Sequence, residues 1–460
     1  MLPWVVLGLA TLGAIAAASI GVRSYRPVLF FTDAPADIEE KDANGNKKTV
    51  SLRCFVETKC PSLLKGFRPV WWLFSGHLQT AYSVVGDFSK IDKVEYDRTL
   101  LRTLDGGTLG LDFTPSETRQ KLPDDTPIIV VLHGLTGGSH ESYVRAVLSP
   151  ACAPVEEGGL GYHAIVVNFR GCAGVPVTSP QLYSAGHTED IRAAVYYIRK
   201  RYPQAPLLGL GFSLGANVLT RYVAEEGEDC RLAAACVLAC PWDLLKNSEA
   251  LEGNWFHRRV YSTALGSNLQ AIVKQHAAAL STPPSHFVAQ AVAPTLALRS
   301  PTLEDFDNSF NRFAGGSSPP FPFPSARAYY TWASSHKVLP RVRIPFLAIG
   351  ATDDPIVQVL PVHAGGNGYI AFAVTRKGGH LGWFERGADG QIRRWFSRPV
   401  LEWLRAFGRD IVVRQRQGKP LTEVNGFLVE VGRSNVGCKP IEGGGRVVGT
   451  KGEEGLLAGL

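Results

Sequence analysis

From residue 127 onward the chain alternates short apolar runs with longer amphipathic stretches. The apolar runs lie at 128–132, 163–169, 206–211, 234–239, 345–350 and 369–375. Such runs, with no polar residue on every second position, read as strands buried on both faces. Between and after them, 141–148, 188–201, 214–226 and 399–407 space their apolar residues as helices do. This alternation predicts an α/β fold: a mostly parallel central sheet with helices on both faces. Upstream, 93–102 and 107–113 flank Asp105-Gly106-Gly107 and predict a hairpin. The interval 241–340 breaks the rhythm. It is rich in helix formers and aromatics and ends near Ser318-Pro319-Pro320-Phe321-Pro322-Phe323-Pro324. Lying between two late strands, it predicts a helical insertion placed as a lid. The polar stretch 39–48 reads as a loop, and the Gly-rich segment from Gly443 as a disordered tail. The expected organisation is an N-terminal anchor at 1–25 and an extension at 26–92. The core follows at 93–240 and 341–410, with the lid at 241–340 and a C-terminal extension at 411–460.

The candidate chemistry sits where the apolar run 206–211 meets the helix 214–226. There the chain reads Gly209-Leu210-Gly211-Phe212-Ser213-Leu214-Gly215-Ala216-Asn217. A Gly-x-Ser-x-Gly turn between strand and helix is tight enough to demand small neighbours, and it lifts Ser213 Oγ above the sheet edge. The pattern is weak alone; its partners decide. In α/β-hydrolases the chain order is serine, acid, histidine. The run 345–350 ends in Ala351-Thr352-Asp353-Asp354-Pro355-Ile356-Val357, which puts two carboxylates at the carboxyl edge of the sheet. The run 369–375 leads into Lys377-Gly378-Gly379-His380-Leu381-Gly382. His380 would take the Ser213 proton at Nε2, with an aspartate fixing Nδ1. Asp354 is favoured over Asp353, because Asp354-Pro355-Ile356-Val357 fits the acid's usual context. The loop His133-Gly134-Leu135 follows the run 128–132 and offers the Leu135 amide as one oxyanion donor, with the Leu214 amide as the other. His133 comes too early in the chain to be the base and reads as a structural histidine. Trp242, Trp255, Phe256, Tyr261, Phe287, Tyr329 and Trp332 are candidates to line an acyl pocket, although aromatics in such a stretch are more often ordinary core.

A hydrophobic fraction of 45% against 19% charged residues gives the chain enough apolar surface for a large core. The net charge of +7 is spread without a basic stripe, which excludes nucleic acid as the expected partner. The eight cysteines form no C-x-x-C pair and read as reduced core residues; neither a metal nor a cofactor is expected. Residues 2–22 form an uncharged apolar run followed by Arg23 and Arg26. Its length suits a single-pass anchor, and the flanking charges place the body on the cytoplasmic side of an endoplasmic-reticulum or related membrane. A cleaved secretory peptide stays open.

Seven motifs occur in order. They are Gly76-His77-Leu78-Gln79-Thr80, Asp105-Gly106-Gly107-Thr108, Asn168-Phe169-Arg170-Gly171-Cys172 and Gly186-His187-Thr188-Glu189-Asp190. Gly211 to Asn217, Asp353-Asp354-Pro355 and Gly378 to Gly382 complete the set. Over 72–403 the chain resembles the α/β-hydrolase family of the plant embryogenesis-associated protein, which includes the animal membrane-anchored abhydrolases acting on phospholipids. The yeast medium-chain fatty acid ethyl ester synthase/esterases are in it too. The resemblance implies a Ser-Asp-His triad at Ser213, Asp354 and His380, and a serine esterase or acyltransferase. Its implied substrates are medium-chain or lipid acyl esters, or acyl-CoA, with water or an alcohol as acceptor. A phospholipase or acylglycerol lipase is the alternative, and a non-catalytic scaffold is the rival class.

Overall fold

A computed structural model describes residues 25–41, 46–116, 122–387, 389–411 and 418–448. The strands run in chain order as β1 (Val28–Phe30), β2 (Asp37–Lys41), β3 (Lys47–Ser51), β4 (Glu95–Thr103), β5 (Thr108–Thr114), β6 (Ile128–Leu132), β7 (His163–Asn168) and β8 (Leu207–Phe212). They continue as β9 (Ala234–Leu238), β10 (Phe346–Ala351), β11 (Ile370–Thr375), β12 (Phe384–Arg386), β13 (Ile392–Arg394), β14 (Leu421–Val424), β15 (Phe427–Glu430) and β16 (Arg433–Val448). One sheet takes the order β1-β11-β10-β9-β8-β6-β7-β5-β4-β16-β15-β14. Its middle, from β7 through β6, β8, β9 and β10 to β11, is parallel.

The apolar runs become these parallel strands because helices cover both faces. On β6, Ile128, Val130 and Leu132 pack with Ile191 and Val195 of the helix Glu189–Arg201 and with Leu219 and Val223 of the helix Leu214–Glu226. Ile129 and Val131 point the other way, toward Val144 and Val147 of the helix Ser142–Cys152 and Trp403 of the helix Ser397–Arg405. The strand order reverses about β6, with β7 on one side and β8 on the other. A crevice opens at such a point, beyond the carboxyl ends of the strands. Ser213 follows β8 at this edge, and Asp354 and His380 follow β10 and β11 there. Between β9 and β10 the secondary structure is helical, from Leu244–Gly253 to Ala326–Ala333 and a last turn at Ser335–Arg341.

Three expectations are corrected. Of the stretch 39–48, expected to be a loop, residues 39–41 and 47–48 belong to an antiparallel hairpin of β2 on β3, with Glu39 opposite Thr49 and Glu40 opposite Lys48, and 42–45 lie outside the described residues. Its charged side chains hid the strands, since pairing uses the backbone. The Gly-rich tail, expected to be disordered from Gly443, stays in β16 as far as Val448, with Gly445 opposite Arg98 and Val448 opposite Glu95. Residues 449–460 lie outside the described residues. The expected single-pass membrane protein is corrected as well. Among the described residues no helix is long and apolar enough to cross a membrane, and the run 2–22 that prompted the reading lies outside them. The cytoplasmic placement, which rested on that run, falls with it.

Candidate active site

Ser213 sits between β8 and the helix Leu214–Glu226 at φ 49° and ψ −117°, a strained conformation for a residue with a side chain. The turn closes only because its flanks are glycine. A Cβ on Gly211 would lie 2.8 Å from Ala216 Cα, and one on Gly215 would strike the carbonyl oxygens of Leu132 and His133. Gly215→Ala therefore forces backbone against backbone. The expected cost is about 1–3 kcal/mol or more, read as a lowered urea midpoint; a midpoint equal to wild type would mean the turn has slack.

His380 Nδ1 lies 2.8 Å from Asp354 Oδ2, and its Nε2 lies 2.7 Å from Ser213 Oγ. A carboxylate only accepts, so Nδ1 carries the proton and donates to Asp354. Nε2 of the neutral ring is then the acceptor for the Ser213 hydroxyl. All three side chains are buried. Asp354 Oδ1 accepts from the amides of Ile356 and Val357, at 2.8 and 3.0 Å, which fixes the carboxylate plane. Asp353 points elsewhere. Its Oδ1 accepts from the Gly379 amide at 3.0 Å, and burial raises its pKa against the pull of Gly379 and Lys377.

The motif Gly76-His77-Leu78-Gln79-Thr80 opens the helix Gly76–Val85, and this helix holds the histidine loop. The His380 amide donates to Thr80 Oγ1 at 2.8 Å, and that hydroxyl donates to the Gly76 carbonyl at 2.7 Å. The Phe384 amide donates to Gln79 Oε1 at 2.8 Å. Reading the sequence for chemistry missed Thr80 and Gln79, which lie some 300 residues before the loop they support. Their one signal was membership of a short motif without an assigned role.

Three further motifs are structural. Arg170 is buried, donating to Asp190 at 2.9 and 2.7 Å and pairing with Asp105. Burial alone would raise the Asp190 pKa, but the Arg170 guanidinium and His187 outweigh it and hold the carboxyl below its usual range. His133 donates from Nδ1 to the Gly134 carbonyl at 2.7 Å and accepts at Nε2 from the Phe169 amide at 3.2 Å. Burial pushes its pKa down to about 3, so the ring stays neutral and braces the loop that carries Leu135.

Ser213 opens into a cavity of about 70 Å³, which Leu135 and Leu214 also line. Leu244, Leu251, Leu265 and Ile356 form much of its remaining wall. The aromatics expected there are mostly elsewhere. Trp242 packs on Phe372 beneath the sheet edge, Trp332 stacks on Arg221, and Trp255, Phe256 and Phe287 are exposed. Tyr261 is buried and hydrogen-bonds His77, while Tyr329 lines a second chamber. The eight cysteines are unpaired, with only Cys54 exposed.

The model of the alpha/beta hydrolase fold family matches residues 127–386. The chain belongs to the alpha/beta hydrolase family. Among the family's characterised relatives, a protein named monoacylglycerol lipase from Saccharomyces cerevisiae is 33% identical over 414 residues, covering 82% of this chain and 88% of the relative. Medium-chain fatty acid ethyl ester synthase/esterase 2 of the same yeast is 28% identical, over 80% of this chain and 92% of its own. Phospholipase ABHD3 of Mus musculus is 30% identical, over 73% and 77%. The family model spans the elbow, both aspartates and His380, but not the helix Gly76–Val85 that holds the histidine loop of this hydrolase.

Proposed function

We propose that the protein is a serine ester hydrolase of medium-chain or lipid acyl esters, able to pass the acyl group to an alcohol as well as to water. The observation that carries this reading is the hydrogen-bonded chain Ser213–His380–Asp354 opening into a leucine-lined cavity. Ser213 Oγ attacks the ester carbonyl and its proton passes to His380 Nε2. Asp354 holds the imidazole in register and stabilises its charged form. The Leu135 and Leu214 amides are the proposed donors to the oxyanion. Collapse of the tetrahedral intermediate releases the alcohol, which takes its proton from His380. Water or a second alcohol then attacks the acyl-enzyme by the same steps in reverse. Relatives named as a monoacylglycerol lipase, a phospholipase and an ester synthase/esterase support an acyl ester as the substrate class. They also keep a phospholipase or acylglycerol lipase as the second reading.

An apolar cavity favours longer acyl chains, since each buried CH₂ contributes about 0.8 kcal/mol. On p-nitrophenyl esters, kcat/KM is expected to rise from acetyl toward octanoyl by at most about fourfold per methylene, then level off. Added ethanol is expected to divert acyl groups into ethyl esters beyond its mole fraction relative to water. A preference for acetyl esters would remove the acyl-pocket reading. Ethyl ester yield that only tracks ethanol concentration would reduce the protein to a hydrolase.

A further inference from the structure

A second chamber of about 60 Å³ shares Leu135, Leu214, Leu244, Leu303 and Tyr330 with the cavity at Ser213. The shared residues make the two chambers neighbours. Both are mostly apolar with a few polar residues: the first has Asn247 and Ser248 in its wall beside Ser213, and the second has the carboxyl of Asp307 beside Asn311. Asp307 and Asn311 come from one π-helical turn, Asp307–Asn311, in the insertion between β9 and β10. Such turns are rare and concentrate at functional sites.

Asp307 is only 3% exposed. The Tyr330 hydroxyl donates to its Oδ2 at 2.6 Å, the Asn311 side chain also hydrogen-bonds the carboxyl, and among the described residues Oδ1 has no close donor of its own. A buried carboxyl oxygen short of donors is costly, so one kept in a chamber wall is placed to meet a donor that enters the chamber. We infer that the second chamber is a subsite for a hydroxyl group carried by the ester substrate, with Asp307 and Asn311 as its hydrogen-bonding residues.

The surroundings select a hydroxyl over a charged group. Among the described residues no cationic side chain lines the chamber, so a carboxylate entering it would go unpaired. Burial raises the Asp307 pKa to about 7, with Tyr330 and Asn311 pulling it back down and Glu304 pushing it further up. Near neutral pH the carboxyl thus exists in both forms. A hydroxyl serves either, donating to the carboxylate or accepting from the acid, whereas an ammonium group needs the full charge. This inference rests on the proposed ester hydrolysis and refines its substrate class. The hydroxyl can come from a hydroxylated acyl chain or from the alcohol portion of the ester.

The test compares two matched pairs with the full-length protein. The acyl arm sets p-nitrophenyl octanoate against its mid-chain and terminal hydroxy derivatives. The alcohol arm sets ethyl octanoate against octanoylglycerol. The readout is the ratio of kcat/KM, hydroxylated over plain, in wild type, Asp307→Leu, Asp307→Asn and Asn311→Leu. In one arm Asp307→Leu is expected to lower the ratio about tenfold, the worth of one buried hydrogen bond. Asp307→Asn keeps most of the ratio, because an amide both donates and accepts. Asn311→Leu lowers it in the same arm, and reads the subsite even if the Asp307→Leu chain fails to fold. Ratios unchanged by Asp307→Leu and Asn311→Leu in both arms would overturn the inference and leave the hydrolase reading standing. So would a stronger wild-type preference for an amino-substituted octanoate that Asp307→Leu abolishes. Absence of turnover on every ester would remove the hydrolase reading, and the subsite with it.

Discussion

Ser213→Ala is expected to abolish covalent labelling by a fluorophosphonate and to lower ester turnover about 10³-fold or more. The Ser213 hydroxyl lies 2.7 Å from His380 Nε2, the nitrogen that can take its proton. It stands at φ 49° on a turn in which Gly211 and Gly215, two residues to either side, admit no side chain. Ser248, also in the cavity wall, hydrogen-bonds Glu304 instead and has no imidazole to activate it. Activity left after the substitution would come from binding and oxyanion contacts alone. Intact-mass analysis of labelled wild-type and variant protein decides the matter. Label retained on another serine of the variant would defeat the assignment.

The second large effect separates two adjacent carboxylates. Asp354→Asn is expected to lower kcat about 10³- to 10⁴-fold, and Asp353→Asn about tenfold or less. An asparagine at 354 can turn its amide toward His380 Nδ1. That nitrogen must then accept, which moves the ring proton to Nε2 and leaves the serine without a base. The imidazolium formed on attack also loses its counter-charge. At 353 the side chain accepts from the Gly379 amide, a task an asparagine carbonyl still performs. Its loss of charge weakens a half-buried ion pair with Lys377 at 3.7 Å, a pair of a kind that contributes little, and a backbone contact with Gly76. Steady-state kinetics of the two variants side by side is the measurement. A larger loss at 353 would move the acid to that residue while leaving Ser213 and His380 in place.

The parts of the site that depend on neighbours in sequence were legible without coordinates. A glycine, a serine and a glycine at a strand-to-helix junction specify a backbone turn. That turn is a local steric matter, and the structure puts Ser213 on it. The parallel strands were legible for a similar reason: a segment buried on both faces must be apolar at nearly every position, and β6 is buried throughout. The order of serine, aspartate and histidine followed from strands that all end at one sheet edge.

What composition could not reveal were features made by partners far along the chain. The hairpin of β2 and β3 is built from charged residues, and the end of β16 from glycines, because strand pairing is made by backbone groups. The free edge of β4 provides the partner for β16, and no pattern inside 443–448 announces it. The cavity is walled by leucines from the insertion and from the loops around Ser213, while most of the aromatics that attract attention in the sequence serve other contacts. Thr80 touches the His380 amide across 300 residues, and only the folded chain brings that hydroxyl within 2.8 Å. The sequence by itself determined the strand-to-helix turn at Ser213, the parallel core and the order of serine, aspartate and histidine along the chain, since each is a matter of local sterics or of burial. The tertiary structure decided which aspartate faces the histidine, what braces the histidine loop and what lines the pocket, since each depends on side-chain direction and long-range packing.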